Sequence, residues 1–187
     1  MSIYHCSIKI ISRSDGKSAV ASSAYRSGEK LMDDRTGLVH NKKKKRGVVF
    51  TVVALPAHAP PEYADRNVLW NAVEKAEKKS NAQLAREIEV ALPKELSREC
   101  QIEIVRRYVQ DNFVSVGMCA DWALHDKGDG NPHAHIMLTM RGIKPDGTWA
   151  QKEKKIYALD EDGNRIPLID PATGEQKLGK RNEKLWK

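Results

Sequence analysis

The segment CADWALHDKGDGNPHAHIMLTM, residues 119–140, decides the fold. It reads as two β-strands, CADWALHD and HAHIMLTM, joined by the polar, glycine-rich hairpin loop KGDGNP. Side chains alternate along a strand, so residues two apart share a face. In the second strand Ala134, Ile136, Leu138 and Met140 form an apolar face, while His133 and His135 share the other with Thr139. In the first, Trp122 and Leu124 lie opposite Asp121, Ala123 and His125. Folding at the loop brings His125 back beside the His133 end of its neighbour, which sets three imidazoles on one face of one hairpin.

The same alternation recurs in LAREIEVALP, residues 84–93, where Leu84, Ile88, Val90 and Leu92 oppose Ala85, Glu87, Glu89 and Ala91. IYHCSIKIIS, residues 3–12, and VVFTVVALP, residues 48–56, are rich in β-formers and read as two further strands. Between these two, KSAVASSAYRSGEKLMDD, residues 17–34, reads as a helix with Val20, Ala24 and Leu31 on one side. Residues 59–81 predict a second helix, opened by prolines, with Val68, Leu69, Ala72, Val73 and Ala76 inward. Residues 96–117 predict a third, capped by Ser97, with Ile102, Val105, Val109, Phe113 and Val116 inward. The order β-α-β-α-β-α-β-β predicts an α+β domain, an antiparallel-rich sheet of about five strands with its helices on one face. Beyond it the chain turns polar and is broken by PDG, EDG and PATG. The expected organisation is a core over 1–143 and a polar appendage over 144–187, read as the start of a truncated C-terminal part.

If the greasy strand faces meet the helices, the opposite faces gather Glu87, Glu89, His125, His133 and His135. Three imidazoles on adjacent strands suit a divalent metal and leave positions open for water or a substrate phosphate. Metal-bound histidines donate their second N–H to an acceptor, which Glu87, Glu89 or Asp121 can supply. A surface strand with alternating charges explains the glutamates alone; beside three histidines they read as groups that orient the ligands. The metal does not settle the reaction, because zinc hydrolases use such ligands too.

Charge narrows the partner. The net charge is +7, carried by 11 Lys/Arg against 4 Asp/Glu in residues 1–61 and 11 against 8 in residues 141–187. Residues 62–140 hold 10 against 13, so basic flanks enclose a slightly acidic middle. A polyanion suits such flanks, and Lys42, Lys43, Lys44, Lys45 and Arg46 form an unbroken cationic run. Lys154, Lys155, Lys180 and Arg181 are weaker sites of the same kind. Aromatic residues make up only 6% of the chain, so no base-stacking residue stands out. No apolar run approaches the roughly 20 residues that span a bilayer. The N-terminus lacks the pattern of a signal peptide, and Cys6, Cys100 and Cys119 read as reduced thiols. A cytoplasmic protein without membrane insertion is expected.

A nucleophile would choose the chemistry, and Tyr25 lies in the small-residue helix SAVASSAYRSGEK beside Arg26. From this segment alone an amphipathic surface tyrosine is the favoured reading. Three separated segments, however, occur here in a familiar order: YHCSIKIISRSDGKSAVASSAYRSGEKL, AREIEVALP and HDKGDGNPHAHIMLTMRG. Together they resemble the MobA/MobL-type plasmid mobilisation relaxases of the HUH endonuclease superfamily, over nearly all of residues 1–143. The resemblance implies the palm of such enzymes, akin to ferredoxin and RNA-recognition folds. It implies a site- and strand-specific nicking and rejoining enzyme acting at a plasmid transfer origin. Tyr25 matches the family's nucleophile, which forms a 5′-phosphotyrosyl link and frees a 3′-hydroxyl. His125, His133 and His135 match its metal triad, and Glu87 and Glu89 its acidic strand positions.

The tyrosine precedes the histidines, the order of relaxases and the reverse of rolling-circle initiators. No second tyrosine adjoins Tyr25, so resealing must reuse it or recruit another molecule. The implied ion is Mn²⁺ or Mg²⁺, with Zn²⁺ as a third option, and nitrogen ligands favour Mn²⁺ over Mg²⁺. Implied partners are single-stranded or hairpin DNA of a transfer origin, a conjugative coupling protein and a type IV secretion system. Arg26 and the 42–46 run are the expected DNA contacts. Two other readings remain open from the residues: a metal-stiffened DNA-binding accessory or repressor domain, and a metallohydrolase of small phosphoesters.

Overall fold

The computed structural model describes residues 4–153 and 156–187. Ile3, expected to open the first strand, and the cations Lys154 and Lys155 lie outside the described residues. Among the described residues seven strands form: β1 (Cys6–Ser12), β2 (Lys30–Asp33), β3 (Leu38–Asn41), β4 (Val48–Ala54), β5 (Gln83–Ala91), β6 (Ala120–His125) and β7 (His133–Thr139). Three α-helices accompany them: α1 (Ala19–Ser27), α2 (Arg66–Ala76) and α3 (Arg98–Val109). Five strands make one sheet in the order β1-β5-β7-β6-β4, with every neighbouring pair antiparallel. The α+β sheet expected from the pattern is therefore present.

The helices do not share one face. On one side Val105, Val109 and Val114 pack against Ile88, Trp122, Leu124, Ile136 and Leu138. On the other, Val20 and Ala24 of α1 and Leu69, Trp70 and Val73 of α2 pack with Ile11, Ala85 and Met137. The histidine-bearing face is thus half covered. Its far half carries Ala85 and Met137, apolar residues that a helix can bury, and its near half carries the ionisable groups. Each fully buried aliphatic or aromatic chain contributes about 1.5–3 kcal/mol, so both layers are needed. Asp121, buried beneath this layer, accepts from Ser23 Oγ at 2.6 Å, Trp70 Nε1 at 2.8 Å and Arg66 Nε at 3.3 Å. It ties α1 and α2 to β6 and takes no part in orienting a histidine.

Two expected helices are shorter than their patterns. α1 stops at Ser27 because Gly28 adopts a left-handed conformation, φ 72°, and returns its N–H to Ala24 O. Leu31 is buried as expected, but from strand β2, which pairs with β3 as a separate hairpin. In α2, Asp65 caps the helix by accepting from Asn67 N at 2.7 Å, and Val68 is exposed rather than inward. α3 continues into a wider π-type turn, Gln110–Val114. A π turn repeats every five residues rather than four. The buried position after Val109 is therefore Val114, and Val116 is 70% exposed.

The first compact unit ends at Lys152 and the second begins at Glu153. Residues 144–152 consequently belong with the core, and the boundary lies later than the expected break after 143. Trp149 stacks on Tyr63 with centroids 5.5 Å apart, and Lys152 pairs with Glu77 at 2.8 Å. The second unit is a run of turns joined by isolated bridges such as Leu159 with Arg165 and Leu178 with Lys184.

Candidate active site

The hairpin register pairs His125 with His133 and Ala123 with His135, so all three imidazoles meet at one end of the sheet. Their ring centroids lie 4.7–5.5 Å apart. One nitrogen from each converges within 4.8 Å of the others. His125 is buried; His133 and His135 are partly exposed.

The tautomers follow from the partners. His125 Nε2 lies 2.7 Å from Arg26 O, His133 Nδ1 2.9 Å from Asn131 O, and His135 Nδ1 3.1 Å from Glu87 Oε1. A carbonyl and an ionised carboxylate only accept, so each of these ring nitrogens donates. In the neutral tautomer that these partners select, the lone pairs are those of His125 Nδ1, His133 Nε2 and His135 Nε2. Burial, opposed by the Arg26 carbonyl and reinforced by Lys45 and the other two histidines, pulls His125 down to about 4. It is neutral at physiological pH and keeps that lone pair. Three convergent imidazole nitrogens fit a divalent ion of the Mn²⁺ or Zn²⁺ type better than Mg²⁺.

Glu87 and Glu89 behave differently. Glu89 is directly paired with His135 in the register, yet its carboxylate stays 4.0 Å from His135 Nδ1. Glu87, one diagonal away, makes the hydrogen bond. Burial pushes the Glu87 carboxyl upward, but hydrogen bonds from His135 and Arg26, and the charge of Arg26, hold it at about 2. Arg26 donates Nε to Glu87 at 2.6 Å, forms a second ion pair through Nη2, and donates Nη1 to Ser22 O at 2.8 Å. Its guanidinium is committed inside the protein, where the sequence reading expected a DNA contact.

Tyr25 is half-exposed, 52%, on the last turn of α1. The next residue contributes both the carbonyl that orients His125 and the guanidinium that holds Glu87. Lys42, Lys43, Lys44 and Arg46 are exposed in the loop between β3 and β4. That loop meets the histidine end, since Gly47 O accepts from Asp126 N at 2.7 Å. Lys45 turns inward instead, its ammonium 3.8 Å from the centroid of the Tyr25 ring. Sequence reasoning missed the Asp121–Arg66–Trp70 network and the inward turn of Lys45; both depend on contacts between segments far apart in the chain.

Residues 17–187 match the MobA/MobL family model. The chain belongs to the MobA/MobL family. Among its relatives, a probable mobilization protein MobA of Bifidobacterium longum is 43% identical over 190 residues, covering 100% of this chain and 34% of the relative. A conjugal transfer protein TraA of Agrobacterium fabrum is 39% identical over 196 residues, covering 100% of this chain and 17% of the relative. The chain thus spans about a third of the first relative and about a sixth of the second. A solved structure concerning the molecular basis of vancomycin resistance transfer in Staphylococcus aureus superposes with a TM-score of 0.77 at 31% identity. That match covers 82% of this chain and 78% of the solved one. Among the described residues, no helix of this MobA/MobL chain is long and apolar enough to cross a membrane.

Proposed function

We propose that this chain is the nicking-and-joining domain of a conjugative relaxase, acting on single-stranded DNA at a transfer origin. One observation carries the reading. The helix that bears Tyr25 is bonded, through the next residue, both to His125 and to the carboxylate that orients His135. A nucleophile candidate and a convergent imidazole triad are thereby built as one unit, which a metal that only stiffened the fold would not require.

In this reading Tyr25 Oη attacks the scissile phosphorus. The new bond joins the phenol oxygen to phosphorus, and the bond to the 3′ oxygen breaks. The phenol proton departs, the 3′ oxygen gains one, and a 5′-phosphotyrosyl diester remains. The diester retains the bond energy, so reversal by the 3′-hydroxyl needs no nucleotide cofactor. Phenols titrate near 10, so the site must favour the deprotonated form. A divalent ion held by His125, His133 and His135 would supply charge stabilisation to the non-bridging phosphate oxygens. Glu87 keeps the His135 lone pair aimed by holding its opposite N–H, and Arg26 keeps Glu87 ionised. Lys42, Lys43, Lys44 and Arg46 contact the DNA backbone without reading its sequence. Relatives named for mobilization and conjugal transfer support an origin of transfer as the DNA. In this reading the chain acts in the cytoplasm, with a coupling protein and a type IV secretion system downstream.

The test is covalent capture. The chain is incubated with a 3′-labelled single-stranded library of randomised core, with and without Mn²⁺, and resolved on a denaturing protein gel. A metal-dependent, label-bearing protein band is expected. Cleaved DNA without such a band favours a hydrolase, and binding without any cleavage favours an accessory DNA-binding domain.

A further inference from the structure

Lys45 stands apart from its four cationic neighbours. Those are exposed, whereas Lys45 is half-buried and both of its polar contacts go to one residue. Its ammonium sits 3.8 Å from the Tyr25 ring centroid and donates to Tyr25 O at 2.8 Å. That carbonyl belongs to the last turn of α1, where main-chain acceptors lack helical partners. The following carbonyl, of Arg26, takes the N–H of His125. Adjacent acceptors therefore tie the end of the Tyr25 helix to the basic loop on one side and to the histidine cluster on the other.

The loop that delivers Lys45 is itself fixed. Lys42 N donates to Glu29 O at 3.0 Å and Lys45 N to Lys42 O at 2.8 Å. Gly47, at φ +82°, lies so close to the start of the β6–β7 loop that a Cβ there would meet Lys127 Cγ at 2.8 Å and Asp126 O at 3.2 Å. Burial, then Arg26 and Lys127, draw the Lys45 ammonium down to about 8, with Glu87 opposing. Its position is thus set by the protein before any DNA arrives.

We propose that Lys45 is a positioning residue for Tyr25, holding the ring and the helix end for attack, and is not one of the cations that contact phosphates. A cation over the face of an aromatic ring is attracted to its π electrons. The same ammonium therefore holds the ring and, through Tyr25 O, the end of its helix. The inference rests on Tyr25 being the nucleophile.

The experiment compares wild type, Lys45→Met, Lys45→Arg and Lys44→Met in the 187-residue chain. The substrate is a 3′-labelled single-stranded sequence recovered by covalent capture from the randomised library. Single-turnover adduct formation at saturating DNA, Kd, its salt dependence and thermal melting are measured for each. Lys45→Met is expected to lower the saturated rate about 10- to 100-fold with Kd within about 2-fold, and Lys45→Arg to recover most of that loss. Lys44→Met should raise Kd and flatten its salt dependence. The inference is overturned if Lys45→Met raises Kd, flattens the salt slope and reacts at the wild-type rate once saturated. It is overturned equally if the variant melts early and Lys45→Arg rescues neither rate nor melting. Should Lys45→Met fail to fold, Lys45→Gln carries the same comparison. A wild type that forms no adduct defeats the Tyr25 reading and the inference with it; an active wild type beside an unimpaired Lys45→Met defeats the inference alone.

Discussion

His135 donates its Nδ1–H to Glu87, which lies on the diagonal, and not to Glu89, which lies directly across the strand pair. Arg26 holds Glu87 in place by two contacts, while among the described residues no cation braces Glu89 toward His135. The carboxylate that orients this ligand is therefore chosen by α1, not by the strands. Removing groups that orient metal-bound histidines costs about 10- to 100-fold in metal affinity. Glu87→Gln is expected to show that loss by titration with Mn²⁺ or Zn²⁺, and Glu89→Gln to stay within about 3-fold of wild type. Equal losses in both variants would contradict the assignment.

His133→Ala and His135→Ala should each lose bound metal while keeping the fold, because both rings are partly exposed at a strand end and neither fills the core. Metal content after dialysis and thermal melts in chelator check the two halves of this claim. Retention of stoichiometric metal in the double variant would remove the triad from the site.

Asp121 predicts a stability effect with no role in metal binding. Its buried carboxylate accepts from Ser23, Trp70 and Arg66 at 2.6, 2.8 and 3.3 Å. Asp121→Ala leaves the Ser23 hydroxyl and the Trp70 N–H without their acceptor and Arg66 with Glu29 as its remaining partner, which costs about 2–4 kcal/mol. For a chain of this size that lowers the melting temperature by about 10 °C. Urea melts measure it, and a loss under about 1 kcal/mol would show that α1 and α2 are anchored otherwise.

Glu77 gives the acid limb. Burial raises its carboxyl, but hydrogen bonds from Arg141 and Lys152 and their charges outweigh that and leave it below the ordinary carboxylate range. A depressed folded value means the unfolded chain binds the proton first. The stabilisation is complete above the unfolded value near 4.3 and is lost as pH falls through the folded one. Between about pH 6 and pH 3, wild type should therefore lose melting temperature faster than Glu77→Gln. Parallel curves would argue against this ion pair as a contributor.

Much of this is legible in the sequence alone. Strand alternation and the Gly-Asn turn put His125, His133 and His135 on one face, because a hairpin leaves the register little freedom. The glutamates were legible as a pair, but not which of them bonds His135, since that depends on where a helix places Arg26. The side on which α1 and α2 pack was misread, because alternation marks one face as apolar without marking the other as free. Met137 and Ala85 supply enough apolar surface there to seat two helices. The end of α1 was hidden for a different reason: Leu31 kept the helical spacing while Gly28 had already turned the chain into β2.

Covalent joining of Tyr25 to DNA is measured directly on the adduct. The adduct formed with Mn²⁺ and single-stranded DNA is digested with nuclease and protease and mapped by mass spectrometry. A nucleotide phosphate is expected on the peptide containing Tyr25, and no adduct from Tyr25→Phe although that variant still binds DNA. A phosphate mapped to another residue, or an undiminished adduct from Tyr25→Phe, would contradict it.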